Sequence, residues 1–153
     1  MQIISAQDID HQFKVALVVS RFNEEITHLL YEGAIHRLKE LDFAPDQVTV
    51  VSVPGAIEIP LTAQRLAQSK RFEAIVCLGA VIRGETTHYD YVCQQVSEGC
   101  LQVSLQYDIP VIFGILTTED DEQAFERAGG KHGHKGRDAV DAAFEMVSVL
   151  RQL

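Results

Sequence analysis

The chain has 153 residues and 17.0 kDa, with 13 Lys+Arg against 22 Asp+Glu, a net charge of −9 and a pI near 5.0. That length is one domain's worth, and 46% hydrophobic with 23% charged residues excludes a disordered chain. The acidic balance, without any basic stripe, excludes duplex nucleic acid as a partner. The opening MQIISAQDID lacks the basic and apolar regions of a signal peptide. The longest apolar run, residues 74–82, falls far short of the ~18–20 residues of a membrane span and stops at Arg83. Cys77, Cys93 and Cys100 form no CxxC pair and leave an odd thiol however they are joined. The expectation is a cytoplasmic protein with reduced thiols and no membrane contact.

The first element, KVALVVS (14–20), is a β-branched apolar run, the pattern of a strand buried on both faces. Asn23 stands where an N-cap belongs, with Glu24 and Glu25 in the first turn of a helix carrying Ile26, Leu29, Leu30, Ala34, Leu38 and Leu41. Asp42, Pro45 and Asp46 end that helix, and 48–53 is the second strand. Pro54-Gly55 turns the chain into a helix over 59–67, where Pro60 fits only the first turn. AIVCLGA (74–80) is the third strand, and the loop VIRGETT leads into a long helix with the stripe Tyr89, Val92, Cys93, Val96, Cys100 and Val103. IPVIFGIL (109–116) is the fourth strand; Thr117 or Thr118 caps a short acidic-fronted helix. After the glycine-rich loop GGKHGHKG, a last helix buries Val140, Ala143, Phe144, Val147 and Leu150. Strict alternation of strand and helix predicts an α/β protein, a three-layer αβα sandwich around a four-stranded parallel sheet with right-handed crossovers. Residues 13–153 form one domain, and residues 1–12 remain as an N-terminal arm that either pairs elsewhere or frays.

Open parallel sheets bind ligands at the carboxyl ends of their strands. That rule selects Arg21-Phe22-Asn23, Pro54 to Glu58, Gly79 to His88 and the region after Phe113. GAVIRGET has the glycine spacing of a P-loop start, but Glu85 stands where the phosphate-binding lysine must be, and GxGxxG is absent. What remains is a turn at Gly84 and free amides at a helix N-terminus, suited to a phosphate monoester, unless Thr86 or Thr87 is simply an N-cap. His88, at the mouth of this site, suits proton transfer near neutral pH; the plainer alternative is a surface residue of a first helical turn. Glu58 can accept a ligand N–H or only face a helix N-terminus. Phe22 and Phe113 can stack on a planar heterocycle, although core packing also accounts for Phe113. Arg127, before Gly129-Gly130, is a natural phosphate fork or a charge that suits the helix dipole. His132 and His134 lack a nearby carboxylate or thiol, so no metal is expected. The cysteines read as small core residues. A phospho-receiver domain is excluded because the ends of strands one and three carry no acidic residues.

Taken together, SRFNEEIT (20–27), VPGAIEIP (53–60), GAVIRGETTHYDYVC (79–93), PVIFGILTTED (110–120) and ERAGGKHGHKG (126–136) resemble the lumazine synthase family of riboflavin biosynthesis, from about Val15 to the end of the chain. The resemblance implies a flavodoxin-like sheet and condensation of 5-amino-6-(D-ribitylamino)uracil with 3,4-dihydroxy-2-butanone 4-phosphate, without metal or redox cofactor. It implies that Phe22 lies on the pyrimidine and that Ala56, Ile57, Glu58, Ala80, Val81 and Ile82 hold the ring edge and ribityl chain, with Asn23 and Phe113 completing the pocket. Glu85 and Thr86 supply phosphate-site backbone, Arg127 the guanidinium, and His88 the proton transfers; Lys135 and Asp138 match positions near the site. It also implies a homo-oligomer of pentamers, with a 60-subunit shell favoured by the short glycine loop, and riboflavin synthase as a further partner.

Three positions depart from the family pattern: Ile57 stands where an aromatic is frequent, His134 where Asn is usual, and Glu85 brings a carboxylate to an anion site. None removes a catalytic group. Two rival readings share the fold. A non-catalytic shell or a flavin or lumazine carrier predicts loss of His88, Arg127 or Glu58, all of which are present; an electron-transfer protein predicts a tightly held yellow flavin.

Overall fold

In a computed structural model that describes residues 1–8 and 12–153, the elements follow the predicted order. They are β1 (Val15–Ser20), α1 (Glu24–Glu40), β2 (Val48–Val53), α2 (Ile59–Gln68), β3 (Ala74–Ile82), α3 (His88–Tyr107), β4 (Val111–Thr118), α4 (Asp121–Arg127), β5 (Ala128–Gly130), β6 (Gly133–His134) and α5 (Lys135–Leu150). The first four strands form one parallel sheet in the order β2-β1-β3-β4. Alternation along the central strands supplies two apolar faces. Val15, Leu17, Val76 and Leu78 pack against α1 and α5 through Leu30, Leu38, Val140 and Val147. Ala16, Val18, Ile75 and Cys77 pack against α2 and α3 through Ile59, Leu66, Val96 and Cys100. The three layers are those the strand–helix alternation predicts.

Close helix contacts depend on two glycines. A Cβ at Gly136 would strike the Leu30 carbonyl, so α5 lies directly on α1; one at Gly99 would come within 2.7 Å of the Pro60 ring, so α3 lies as closely on α2.

Several local expectations change. Asn23 is no side-chain cap: it takes a left-handed conformation (φ 60°), and its Nδ2 donates to the Ala80 carbonyl at 2.9 Å. The amide therefore ties the end of β1 to the end of β3. Neither Thr117 nor Thr118 caps α4; both pair with the end of β3, and Asp120 accepts from the Gln123 amide at 2.8 Å instead. β3 runs two residues beyond Ala80 because β4 continues beside it. Ile109 lies just past the Asp108 C-cap of α3, its amide donating back to the Ser104 carbonyl, so β4 starts only at Val111. Lys14 lies outside β1, Phe144 is only partly buried, and Leu150 is 38% exposed. The glycine-rich loop contains an antiparallel β5–β6 pair too short to show periodicity.

Part of the predicted arm, residues 9–11, lies outside the described residues. Within the described part, the Ser148 hydroxyl bonds both the amide and the carbonyl of Gln7, and Gln152 donates to the Ser5 carbonyl.

Candidate active site

The carboxyl ends of β1, β2 and β3 open into a cleft of about 410 Å³. Each wall has a local cause. β1 delivers Phe22, which is 72% exposed and stands over the opening. β2 ends at Pro54, and a tight turn over Ala56–Glu58 follows; the Glu58 carboxylate accepts from the Gly55 amide at 2.8 Å and closes that turn. β3 ends as Ala80, Val81 and Ile82, whose backbone forms the floor and is fixed to Asn23. α3 opens the far side with His88 and Tyr89, and the His88 amide donates to the Thr86 hydroxyl at 3.3 Å. The lining is mostly apolar, with the Glu58 carboxylate, the His88 imidazole and the Thr86 hydroxyl as polar points, the composition of a pocket for a planar polar ligand.

The loop between β3 and α3 is held by a residue the sequence reading passed over. Arg83 Nε donates to Glu119 at 2.7 Å, its Nη2 to Asp90 at 3.2 Å, and its guanidinium lies 4.3 Å from the centre of the Tyr89 ring. Its backbone N–H donates to the Thr118 carbonyl. One side chain thus joins the ends of β3 and β4 to the first turn of α3, which carries His88. The two carboxylates hold the Arg83 guanidinium further above its ordinary pKa, so its charge is committed to this clamp. The sequence signal was present as an arginine inside a glycine loop with acids at 90 and 119.

A second cleft, of about 450 Å³, lies at the β4 edge of the sheet. It gathers Phe113, Arg127, Lys135 and Asp138, and it shares no lining residue with the first. Arg127 projects from the last turn of α4 and spends one N–H on the Gln123 carbonyl at 2.9 Å; the rest of its fork stays open to a ligand. Lys135 and Asp138 are 3.4 Å apart one turn along α5. Phe113 is 41% exposed.

Of the residues singled out from sequence, the first cleft therefore collects Phe22, Asn23, Ala56, Ile57, Glu58, Ala80, Val81, Ile82, Thr86 and His88. Phe113, Arg127, Lys135 and Asp138 are brought together elsewhere. Glu85 is exposed and lines neither. Gly55 and Gly84, from the segments selected at the strand ends, complete the first cleft together with Tyr89 and Val92, which the helical stripe assigned to packing. The histidines of the glycine loop have different surroundings: His132 approaches Glu126 at 3.5 Å, whereas the His134 ring lies against Gly33. Among the described residues no group of three or more His, Cys, Asp or Glu could hold a metal ion, and no helix is long and apolar enough to cross a membrane. The cysteines form no disulfide; a hydrogen bond with Cys100 and full burial push the Cys77 thiol well above its ordinary pKa.

Residues 12–151 match the family model described as 6,7-dimethyl-8-ribityllumazine synthase. A curated 6,7-dimethyl-8-ribityllumazine synthase from Coxiella burnetii (strain Dugway 5J108-111) is 58% identical over 144 residues, covering 94% of this chain and 95% of the relative. Those of strains CbuG_Q212 and RSA 493 are 56% identical over the same coverage.

Proposed function

The chain belongs to the 6,7-dimethyl-8-ribityllumazine synthase family, and from that premise we propose that each of its active sites is assembled from two neighbouring copies, one giving the first cleft and the other the second. The reaction joins 5-amino-6-(D-ribitylamino)uracil to 3,4-dihydroxy-2-butanone 4-phosphate and releases the lumazine, phosphate and water, the penultimate step of riboflavin formation. The observation that carries the two-chain reading is the separation itself. The proton-transfer histidine and the ring-binding residues occupy one cleft, and the guanidinium suited to phosphate occupies another with no residue in common. Both substrates must nevertheless meet within bonding distance.

In this reading Phe22 stacks on the pyrimidine, and the Glu58 carboxylate, already fixed by the Gly55 amide, accepts a ring N–H. The backbone of Ala56-Ile57 and of β3 holds the ring edge and the ribityl chain, with Asn23 bracing the floor from behind. Phe113 closes the pocket from the neighbour. The phosphorylated ketone lies with its phosphate between the Glu85-Thr86 amides and the neighbour's Arg127, with Lys135 and Asp138 beside it. The arylamine nitrogen attacks the ketone carbonyl, the carbinolamine loses water to give an imine, and phosphate then leaves. The ribityl-bearing nitrogen closes the ring with loss of a second water. His88, beside these atoms, takes and returns the protons, and Arg127 meets the charge of the departing phosphate.

Exposed Leu61, Tyr91, Leu101 and Leu105 on α2 and α3 support self-association, since such residues are costly to leave in water over a contiguous surface. Head-to-tail contacts close a ring when the rotation fits, here a pentamer, and a 60-subunit shell of pentamers is the assembly we assign. Residues 1–12 act as an arm that can pair with an open sheet edge of a neighbouring subunit, and riboflavin synthase is the natural partner for the product. Free cysteines fit a reducing cytoplasmic setting.

Co-expression of His88→Ala with Arg127→Ala tests the two-chain site, with product fluorescence as the assay and light scattering for the assembly mass. Random mixing leaves roughly a quarter of sites with both halves intact, so activity returns to about that fraction of wild type. Mixed assemblies no more active than either parent would place a whole site on each chain.

A further inference from the structure

We propose that His134 is a positioning residue for the second cleft: its imidazole, lodged against Gly33 of α1, docks the β5–β6 pair so that Arg127 before it and Lys135 after it are presented together. This rests on the reading of Arg127 as the phosphate-binding group. Arg127 is the last residue of α4, Lys135 the first of α5, and the seven residues between them contain both short strands. The pairing itself is weak in extent, Ala128 with His134 and Gly130 with Gly133, and it includes glycines at φ 107° and 83°. Such a segment has little to hold it in place unless a side chain anchors it.

His134 is that anchor. A Cβ at Gly33 would run into the imidazole, one at Gly136 would come within 3.1 Å of its Cε1, and one at Gly129 within 3.2 Å of its Cδ2. Three glycines from α1, β5 and α5 therefore make room for one ring. The Nδ1 atom is buried there without a hydrogen-bond partner. An unpartnered buried nitrogen opposes burial, so the site is held by shape and by the fit of the ring, not by a polar contact at that atom. Burial, and then the nearby Arg137 charge, lower the imidazole pKa, keeping the ring neutral near pH 7. The charged and titratable groups around it are Glu32, His36 and Lys39 on α1 and Arg137 and Asp138 on α5.

His134→Ala, Gly33→Ala and the double variant are assayed with both substrates, beside Arg127→Ala. His134→Ala is expected to raise the KM for the phosphorylated ketone about five- to tenfold while the KM for the pyrimidine stays within about twofold. Gly33→Ala acts alike because its methyl group expels the ring, and the double variant is expected to be no worse than His134→Ala, since the three atoms nearest that methyl group all belong to the ring. Losses that multiply in the double variant, or equal rises in both KM values, overturn the proposal. Amide hydrogen exchange supplies a readout that needs neither substrate: exchange over residues 128–136 accelerates in His134→Ala and stays slow at β1 and β3. Unchanged exchange there overturns the docking role. Failure of Arg127→Ala to affect the phosphorylated ketone selectively, with exchange responding as expected, would remove the phosphate reading and leave the docking intact. If the alanine variants fail to assemble, His134→Ser, which leaves most of the socket empty, must give the same selective KM rise or the proposal falls.

Discussion

The two clefts are built on different principles. The first is set among the ends of three neighbouring strands, and its parts are fixed by short, directional bonds: Asn23 to the Ala80 carbonyl, Glu58 to the Gly55 amide, and Arg83 across Glu119, Asp90 and Tyr89. The second lies at the sheet edge between β4 and α5, with Arg127 reaching in from the end of the seven-residue α4, and it sets the charges of Arg127, Lys135 and Asp138 on a largely apolar wall. Proton transfer needs a donor held to within a fraction of an ångström of the reacting atoms, whereas a dianion is attracted by a guanidinium over a broader range of positions. On the proposed roles, rigidity is concentrated in the half that moves protons and charge in the half that captures phosphate.

The widest effect expected from that contrast is on kcat. His88→Ala lowers kcat by about one to two decades and leaves the pyrimidine KM close to wild type: general acid–base steps contribute about two to four decades, and imine formation that proceeds unaided at a fair rate holds the loss to the low end. Steady-state kinetics at saturating phosphorylated ketone provides the test, and an unchanged kcat would take His88 out of the chemistry. Arg127→Ala breaks the other half. Loss of a charge-assisted fork on a dianion costs roughly 1.5–3 kcal/mol, so KM for the phosphorylated ketone rises about ten- to a hundredfold with that for the pyrimidine nearly unchanged. Equal rises in both would show that the second cleft is not a phosphate site.

The first cleft was far more legible in the sequence than the second. Its strands are β-branched runs with a fixed rule for where ligands bind, so Phe22, Glu58, Ala80 and His88 could be placed from local pattern alone. Arg127, a guanidinium before a glycine loop, and Phe113, an aromatic at a strand end, were candidates on local grounds as well, but no local pattern says that they stand apart from His88 in one chain. Asn23 does hold the N-cap position of α1, but its side chain does not cap the helix, because its amide is taken by a carbonyl 57 residues away. Asp120 outcompeted Thr117 and Thr118 because the strand pairing of β3 and β4, a long-range fact, extended through both threonines. The socket of His134 joins residue 134 to residue 33 and leaves no periodic trace.

The helix layers behind the clefts differ as well, and a methyl group separates them. Gly99 faces the Pro60 ring, which cannot rotate away, so an added Cβ 2.7 Å from it forces α3 off α2. Gly99→Ala gains about 0.5–1 kcal/mol in helix propensity and loses about 1–3 kcal/mol to overpacking, for a net loss. At this chain length that lowers Tm by a few degrees, about 2–4 °C for each kcal/mol. Because α3 begins at His88, kcat is expected to fall with it. Calorimetry with kinetics on one preparation separates the two, and a Tm that rises would mean α3 adjusts without strain.

The smallest effect belongs to the layer behind the second cleft, where charge joins the helices. Glu40 on α1 meets Arg137 of α5 at 2.7 Å and Arg37 at 3.0 Å, and Arg37 in turn meets Asp141 of α5 at 2.7 Å. Hydrogen bonds from Arg137 and then Arg37 bring the Glu40 carboxyl from its ordinary 4.5 down to about 2. A carboxylate whose folded pKa is depressed contributes stability that is complete above its unfolded value and is lost as pH falls through the folded one. The contribution of Glu40 is therefore whole above about pH 4.5 and gone near pH 2. All the groups reach solvent, so screening keeps the effect small. Glu40→Gln lowers Tm by roughly 1–3 °C at pH 7 and low salt, less in 1 M salt, and the gap from wild type narrows as pH is taken from 4.5 towards 2. The same pH series on Gly99→Ala should show a constant gap, since no titrating group enters that contact. A Glu40→Gln gap that stays equally constant would mean that the Glu40 carboxylate adds nothing to the apolar packing that joins α1 and α5.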